Sequence, residues 1–262
     1  GILRAVGVPH QRFTEDALRI LRLYRFAARF GFAIDPPTAQ AAQELCAHLD
    51  CVSVERIEEE LAKLLSAPAP AAYLDEKILG VVLPELSPEA LAAAKPVVDA
   101  CPAGEQALPV RLAALLLSLG EDGTRRTLRR LRCSNACIEE TAVLVREVVS
   151  GVPVSLNIYT RKLLGQYGLK TVQRLAALGT ALQPEHAADF AALSELAERL
   201  DADGVCCRVS QLAVNGRDLM AAGVPAGPGI RKVLEALLDG VIREEYPNER
   251  QALLDAVQQL AV

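Results

Sequence analysis

The stretch Arg12–Phe32, RFTEDALRILRLYRFAARFGF, sets Arg19, Arg22, Arg25 and Arg29 behind an acidic pair, Glu15 and Asp16. On a wheel of about 100° per residue, Ala17, Ile20, Leu21, Tyr24 and Ala28 gather on one side, while Asp16, Arg19, Arg22 and Arg29 spread over the other. The pattern predicts one amphipathic helix, with Pro9 ahead of it, Thr14 as its N-cap and Gly31 as its stop. Asp16 and Arg19 then lie one turn apart. Their side chains would present a carboxylate acceptor beside a guanidinium donor. The pairing edges of cytosine and adenine both offer an amino donor next to an unprotonated ring nitrogen, whereas uracil and guanine reverse that order. An Asp–Arg pair could therefore accept C and A and reject U and G, at roughly 1–3 kcal/mol per bidentate contact. An ordinary i,i+3 ion pair in a helix favouring acids in its first turn explains the same spacing.

Working outward, the 262 residues are 51% hydrophobic and only 4% aromatic, with no tryptophan. Ala and Leu dominate nearly every segment, which favours helix over sheet. The predicted fold class is all-α. Further helices are expected from Asp35–Thr38 to about Leu49, and from a Ser53 cap through Val54, Ile57, Leu61, Leu64 and Leu65. Others are expected over 72–79, 109–119, 122–132 and 134–150, with Pro84, Pro88, Pro96 and Pro102 as breaks between short elements. Gly151–Pro153 breaks the pattern again. Beyond it the chain reads as helical, with turns at 179–184, 201–204, 215–216 and 224–229. The longest uninterrupted apolar run, Leu112 to Leu117, is far short of a membrane span.

The net charge of −5 would ordinarily speak against a nucleic acid partner, but it hides an alternation. Residues 1–32 carry a local +4, 33–124 a local −10, 125–174 a local +7 and 175–262 a local −6. Two basic islands in acidic surroundings can confine a polyanion to a track. Arg125, Arg126, Arg129, Arg130 and Arg132, with no acid among them, mark the second island. The seven cysteines form no CxxC pair, so neither a disulfide framework nor a zinc site is expected. Asp201-Ala202-Asp203 falls in an expected turn without a surrounding motif, and no metal site is assigned to this chain.

Ile2 to Gly7, Arg12-Phe13, Glu15 to Arg19 and Arg25 to Phe32 together resemble the neck of bacterial class II CCA-adding enzymes, tRNA nucleotidyltransferases related to poly(A) polymerases. The resemblance continues through Glu55-Arg56-Ile57 and Glu60-Leu61, then Leu131 to Asn135. It ends in Asn215 to Leu219, Gly227 to Ile230 and Pro247 to Arg250. It implies an elongated multi-helix arrangement: neck 1–66, body 67–150 with a degenerate HD-like region, and tail 151–262. It also implies that Asp16 and Arg19 pair with incoming CTP or ATP, with Arg12 and Arg22 near the nucleotide and Glu55, Arg56 and Glu60 bracing the helix. The catalytic head, with its Asp-x-Asp pair and Mg2+, would precede residue 1, leaving this portion inactive alone. Body and tail would hold the tRNA acceptor stem and elbow, with Arg125, Arg126, Arg129, Arg130, Arg161, Lys162, Arg231 and Lys232 as candidates and the cytoplasm as location. Two departures stand out. Gly7-Val8-Pro9 replaces the family's Gly-Asp-Pro, and no His precedes an Asp in the body, so a metal phosphohydrolase is not expected there. A headless RNA-binding adaptor and a poly(A) polymerase relative are the rival readings.

Overall fold

A computed structural model describes residues 1–148 and 156–260; the break expected at Gly151–Pro153 lies outside them. Among the described residues there are fifteen α-helices and one pair of two-residue strands. Strand β1 (Ile2–Leu3) pairs in parallel with β2 (Ala33–Ile34), Ile2 opposite Ala33. Between them run α1 (Pro9–Glu15) and α2 (Leu18–Phe30), the crossover that a parallel pair requires.

The single helix expected across Arg12–Arg29 is thus two. Asp16 is extended (φ −152°, ψ 99°) and its Oδ1 accepts the Leu18 N–H at 3.1 Å, satisfying a donor that the start of a helix leaves free. Thr14 caps nothing; it lies inside α1, where its hydroxyl donates to the His10 carbonyl at 2.8 Å. Gly31 does end α2, in the left-handed conformation (φ 64°) that a residue without Cβ adopts at little cost.

Next come α3 (Pro36–Glu44) and α4 (Val54–Leu65). α3 stops short of Leu49 because the chain tightens into a 3₁₀ turn at Cys46–Cys51. α4 starts after Ser53 as expected, although the Ser53 hydroxyl makes no capping bond. It lays Ile57, Leu61, Leu64 and Leu65 against the Ile20, Leu21, Tyr24 and Ala28 face of α2, all buried. Each Leu or Ile side chain among them contributes about 1.5–3 kcal/mol of burial.

α5 (Glu76–Val82) begins later than Ala72 because Asp75 caps it, accepting from the Lys77 and Ile78 amides. α6 (Pro88–Ala100) starts at Pro88 and runs on through Pro96, so that proline is not a break. α7 (Leu108–Leu116), α8 (Gly120–Arg130) and α9 (Asn135–Val148) follow. After them come α10 (Leu156–Tyr167), α11 (Leu169–Leu182), which carries Gly179 inside it rather than in a turn, and α12 (Ala187–Ala202). The last are α13 (Gly216–Ala221), α14 (Gly229–Ile242) and α15 (Arg250–Leu260).

The chain divides into two compact units, Gly1–Gly151 with Ala177–Ala187, and Val152–Ala176 with Ala188–Val262. In the first, Arg111 on α7 is wholly buried and donates to the carbonyls of Leu65, Ala67, Pro68 and Cys101. In the second, Val214, Leu219, Leu237, Val241, Leu253 and Val257 form the core. Gly165 of α10 passes so close to the Cys207 backbone that a Cβ there would sit 2.0 Å from its carbonyl oxygen.

Candidate functional site

The break between α1 and α2 opens a cleft of about 350 Å³, walled by Leu3–Val6, Arg12, Phe13, Arg19, Arg22, Leu23, Phe26 and Thr38. Its floor is apolar and its rim cationic. Residues 3–6 are held in place by α3: Arg4 donates to Asp35 at 3.0 Å and the Ala5 amide to the buried Thr38 hydroxyl at 3.3 Å. Burial alone would raise the Asp35 carboxyl, but the Thr38 and Arg4 hydrogen bonds outweigh it and hold it below its ordinary value.

Arg12, Arg19 and Arg22 all line this cleft. Arg12 Nε donates to the Val6 carbonyl at 3.0 Å. Arg19 Nη1 donates to Glu15 at 2.8 Å and to the Arg12 carbonyl at 3.1 Å. Hydrogen bonds from Arg19 and then Arg12 keep the Glu15 carboxyl below the usual range. Arg22 is exposed and has no ion-pair or hydrogen-bond partner among the described residues.

Asp16 does not stand beside Arg19 as an i,i+3 neighbour on one helix. It sits at the break, with Oδ1 on the Leu18 amide and Oδ2 3.5 Å from Arg56 of α4. Both groups keep spare capacity: a carboxylate offers about four lone-pair sites, and Arg19 has Nε and Nη2 unspent.

The bracing candidates separate in their contacts. Arg56 meets Asp16, Glu55 pairs with Arg132 beyond α8, and Glu60 meets Arg25. Arg25 and Glu60 lie 2.7 Å apart, both buried, yet neither Nε nor that carboxylate oxygen is in line for a hydrogen bond. Their attraction is Coulombic, and the guanidinium also lies 3.9 Å from the Phe26 ring centre. Sequence reasoning gave Arg25 no role. Its place four residues after Leu21 and three before Ala28, on the apolar side of the wheel, was the available signal.

The second basic island is less free than its composition suggested, because folding brings acids to it from elsewhere. Arg125 is held by Glu121 and Glu139, Arg130 by both oxygens of Glu85 at 2.6 and 2.7 Å, and Arg132 by Glu55. Arg126 and Arg129, exposed on α8, have no such partner among the described residues. In the second unit, Arg161 is largely buried and pairs with Glu244, Lys162 with Asp239, and Arg231 with Glu235. Lys232 is exposed and unpaired among the described residues. No cluster of three or more His, Cys, Asp or Glu side chains fit to hold a metal occurs among the described residues, and Asp201 and Asp203 belong to none.

The arginine-rimmed cleft beside the Asp16 break belongs to an almost wholly helical array, and comparison with known families gives that array its class. The family profile described as "tRNA nucleotidyltransferase domain 2 putative" matches residues 110–257, and "Probable RNA and SrmB- binding site of polymerase A" matches 31–89. The CCA-adding enzyme of Lactiplantibacillus plantarum is 30% identical over the whole chain, and that of Geobacillus stearothermophilus 30% identical over 96% of it. The crystal structure of the Bacillus stearothermophilus CCA-adding enzyme in complex with CTP superposes over 99% of the chain, with a TM-score of 0.82 and 27% identity. The chain belongs to the tRNA nucleotidyltransferase family. It spans 64% and 62% of the two relatives' lengths and 65% of the solved chain. No helix among the described residues is long and apolar enough to cross a membrane.

Proposed function

We propose that this chain is the base-selecting and tRNA-holding portion of an enzyme that adds C, C and A to tRNA 3′ ends from CTP and ATP. The observation carrying this reading is the convergence of Arg12, Arg19 and Arg22 on one cleft next to the Asp16 break. In this reading Asp16 accepts the exocyclic amino hydrogens of cytosine or adenine, Arg19 donates to the adjoining ring nitrogen, and Arg12 and Arg22 face the phosphates. Arg56 and Glu60 steady the break from α4, Arg56 through Asp16 and Glu60 through Arg25.

A divalent ion such as Mg2+, held elsewhere in the enzyme, would supply activation of the primer hydroxyl and neutralisation of the triphosphate. Residues described here do not fit it, and we assign its site to the part of the relatives that this chain does not span. The reaction belongs to the cytoplasm, in keeping with its substrates and with seven free thiols.

For the tRNA, the unpaired cations Arg126, Arg129 and Lys232 are the first choice of phosphate contacts, since a phosphate need not displace a carboxylate to reach them. Arg125, Arg130, Arg161, Lys162 and Arg231 would have to exchange partners.

The test joins this chain to the remaining portion of a curated relative and measures CTP and ATP incorporation. Arg19→Ala is expected to lower kcat/KM for both nucleotides by roughly 5- to 150-fold, the equivalent of one bidentate contact. Equal kinetics with and without the Arg19 guanidinium would remove the base-reading role. On the RNA side, Arg126→Glu with Arg129→Glu should weaken tRNA binding and flatten the slope of log affinity against log salt by about 2. An unchanged slope would take α8 out of the footprint.

A further inference from the structure

The outward face of α2 carries more than base reading uses. Arg22, Phe26, Arg29 and Phe30 fall within an arc of about 100° on the helix, opposite the Ile20, Leu21, Tyr24 and Ala28 face that packs on α4. Phe26 lines the nucleotide cleft, and one turn beyond it the Phe30 ring lies parallel to it, at an interplanar angle of 1° with the centres 5.9 Å apart. Phe32 adds a third ring, tilted by 41° and centred 5.6 Å from Phe30. Phe30 is 53% exposed, the one aromatic among the exposed large hydrophobic side chains of the described residues. Arg29 beside it is exposed and, like Arg22, has no ion-pair or hydrogen-bond partner among the described residues.

We propose that this face is a stacking track for the unpaired 3′ end of the RNA that receives the nucleotide, with the last unpaired base lying on the Phe30 ring and Arg29 meeting the adjoining phosphate. The proposal rests on the nucleotide-adding reading of the cleft. Arg22 and Phe26 stand where the cleft gives way to the track, so the incoming nucleotide and the end that receives it become neighbours.

The chemistry of the face selects a single strand as its occupant. An exposed aromatic ring offers any base a stacking surface, and an unpaired guanidinium offers a phosphate a partner without displacing a carboxylate. The two types alternate here at i, i+4, i+7 and i+8, the combination that grips single strands without reading their sequence. Continuity with the cleft matters as well, because the receiving 3′ hydroxyl has to come within bonding reach of the incoming nucleotide. Paired RNA would leave the ring unused, since its bases already lie on one another. Stacking that tolerates any base also suits an end whose last base changes as nucleotides are added, while Asp16 and Arg19 keep the choice of the incoming one.

The probe is a tRNA acceptor-stem hairpin with one unpaired 3′ nucleotide whose base is 2-aminopurine, titrated with the whole chain and its variants. Stacking of that base on Phe30 should quench its emission as the hairpin binds. Phe30→Ala should abolish the quench and weaken binding by roughly 5- to 150-fold, leaving the salt slope unchanged because no charge is removed. Phe30→Tyr should retain both the quench and the affinity. Arg29→Gln should keep the quench and lower the salt slope by about 0.7. A blunt hairpin without the unpaired nucleotide should bind the parent and Phe30→Ala alike. Emission that stays unchanged across the titration of the parent, or a Phe30→Ala chain that quenches like the parent, overturns the proposal. If Phe30→Ala leaves every RNA readout as it was and lowers the melting temperature of the chain joined to a relative's remaining portion, the face packs against protein and the proposal is likewise overturned. None of these readouts involves CTP or ATP, so the track can fail while the Arg19 test succeeds, and base reading can fail with the quench intact.

Discussion

Two side chains of opposite charge, Arg25 and Glu60, sit buried between α2 and α4 with little hydrogen bonding to each other. Removing one partner strands a charge, whereas replacing both by apolar groups relieves the desolvation of both. Glu60→Leu alone is therefore expected to cost about 3–5 kcal/mol in urea unfolding, and Arg25→Met with Glu60→Leu much less than the sum of the two single changes. Additive costs would mean that the two charges do not sense each other. Arg132 and Glu244 share another trait: among the described residues they are the non-glycine residues with positive φ, 57° and 62°. Each follows a helix end, α8 and α14, where glycine is the usual occupant. Each also carries an ion pair to a distant helix, Arg132 to Glu55 and Glu244 to Arg161. Glycine at either position would relieve the backbone but could not make the bridge.

At the scale of elements, the Asp16 break gives the cleft its shape, and its two duties can be separated. Asp16→Ala should destabilise the chain by about 0.5–2 kcal/mol through loss of the Leu18 cap. Asp16→Asn should hold the melting temperature near that of the parent while altering the preference between CTP and UTP in the completed enzyme. Asn keeping the parent's nucleotide preference would confine Asp16 to capping. Gly165→Ala should lower the melting temperature markedly, because the Cys207 carbonyl leaves no room for a Cβ and α10 would have to move. The helices of the sequence were legible where apolar spacing was strong, as in α4. The α1–α2 break was not, because the wheel of Arg12–Arg29 is continuous and nothing in the spacing distinguishes a capping Asp from an exposed one. α6 was hidden by Pro96, which a helix carries when its packing outweighs a lost hydrogen bond. The cationic cleft was legible in its arginines but not in its other wall, since residues 3–6 meet it only after β1 pairs with β2. The partial neutralisation of the second basic island was not legible, because Glu55, Glu85 and Glu139 are distant in sequence and adjacent in space.

For the whole molecule, charge alternation becomes a lattice of ion pairs with a defined pH response. Asp35, Glu55, Glu85, Glu139 and Asp239 all have carboxyls held below their ordinary values, each by a cationic or hydrogen-bonding partner that prevails over burial. Groups of this kind add stability above the unfolded-state pKa, about 4, and lose it as the pH falls through their lower folded values. Glu58, raised instead, runs the other way and adds stability only on the acid side. Because the depressed carboxyls outnumber it, the melting temperature should be nearly flat between about pH 6 and 8 and fall steadily below about pH 4, followed by circular dichroism. A maximum in the acid range would contradict this balance.

The Arg111 clamp bears on how quickly the chain comes apart. The side chain gathers carbonyls from 65–68 and from 101, segments that arrive by separate routes along the polypeptide. Such a knot can be tied only after its segments have met, so we expect it to form late in folding rather than in the nucleus. Arg111→Met should then steepen escape from the native state, raising the unfolding arm of a stopped-flow chevron while the refolding arm barely shifts. The guanidinium would thereby act as a latch on lifetime, setting how long the native state lasts rather than how soon it forms.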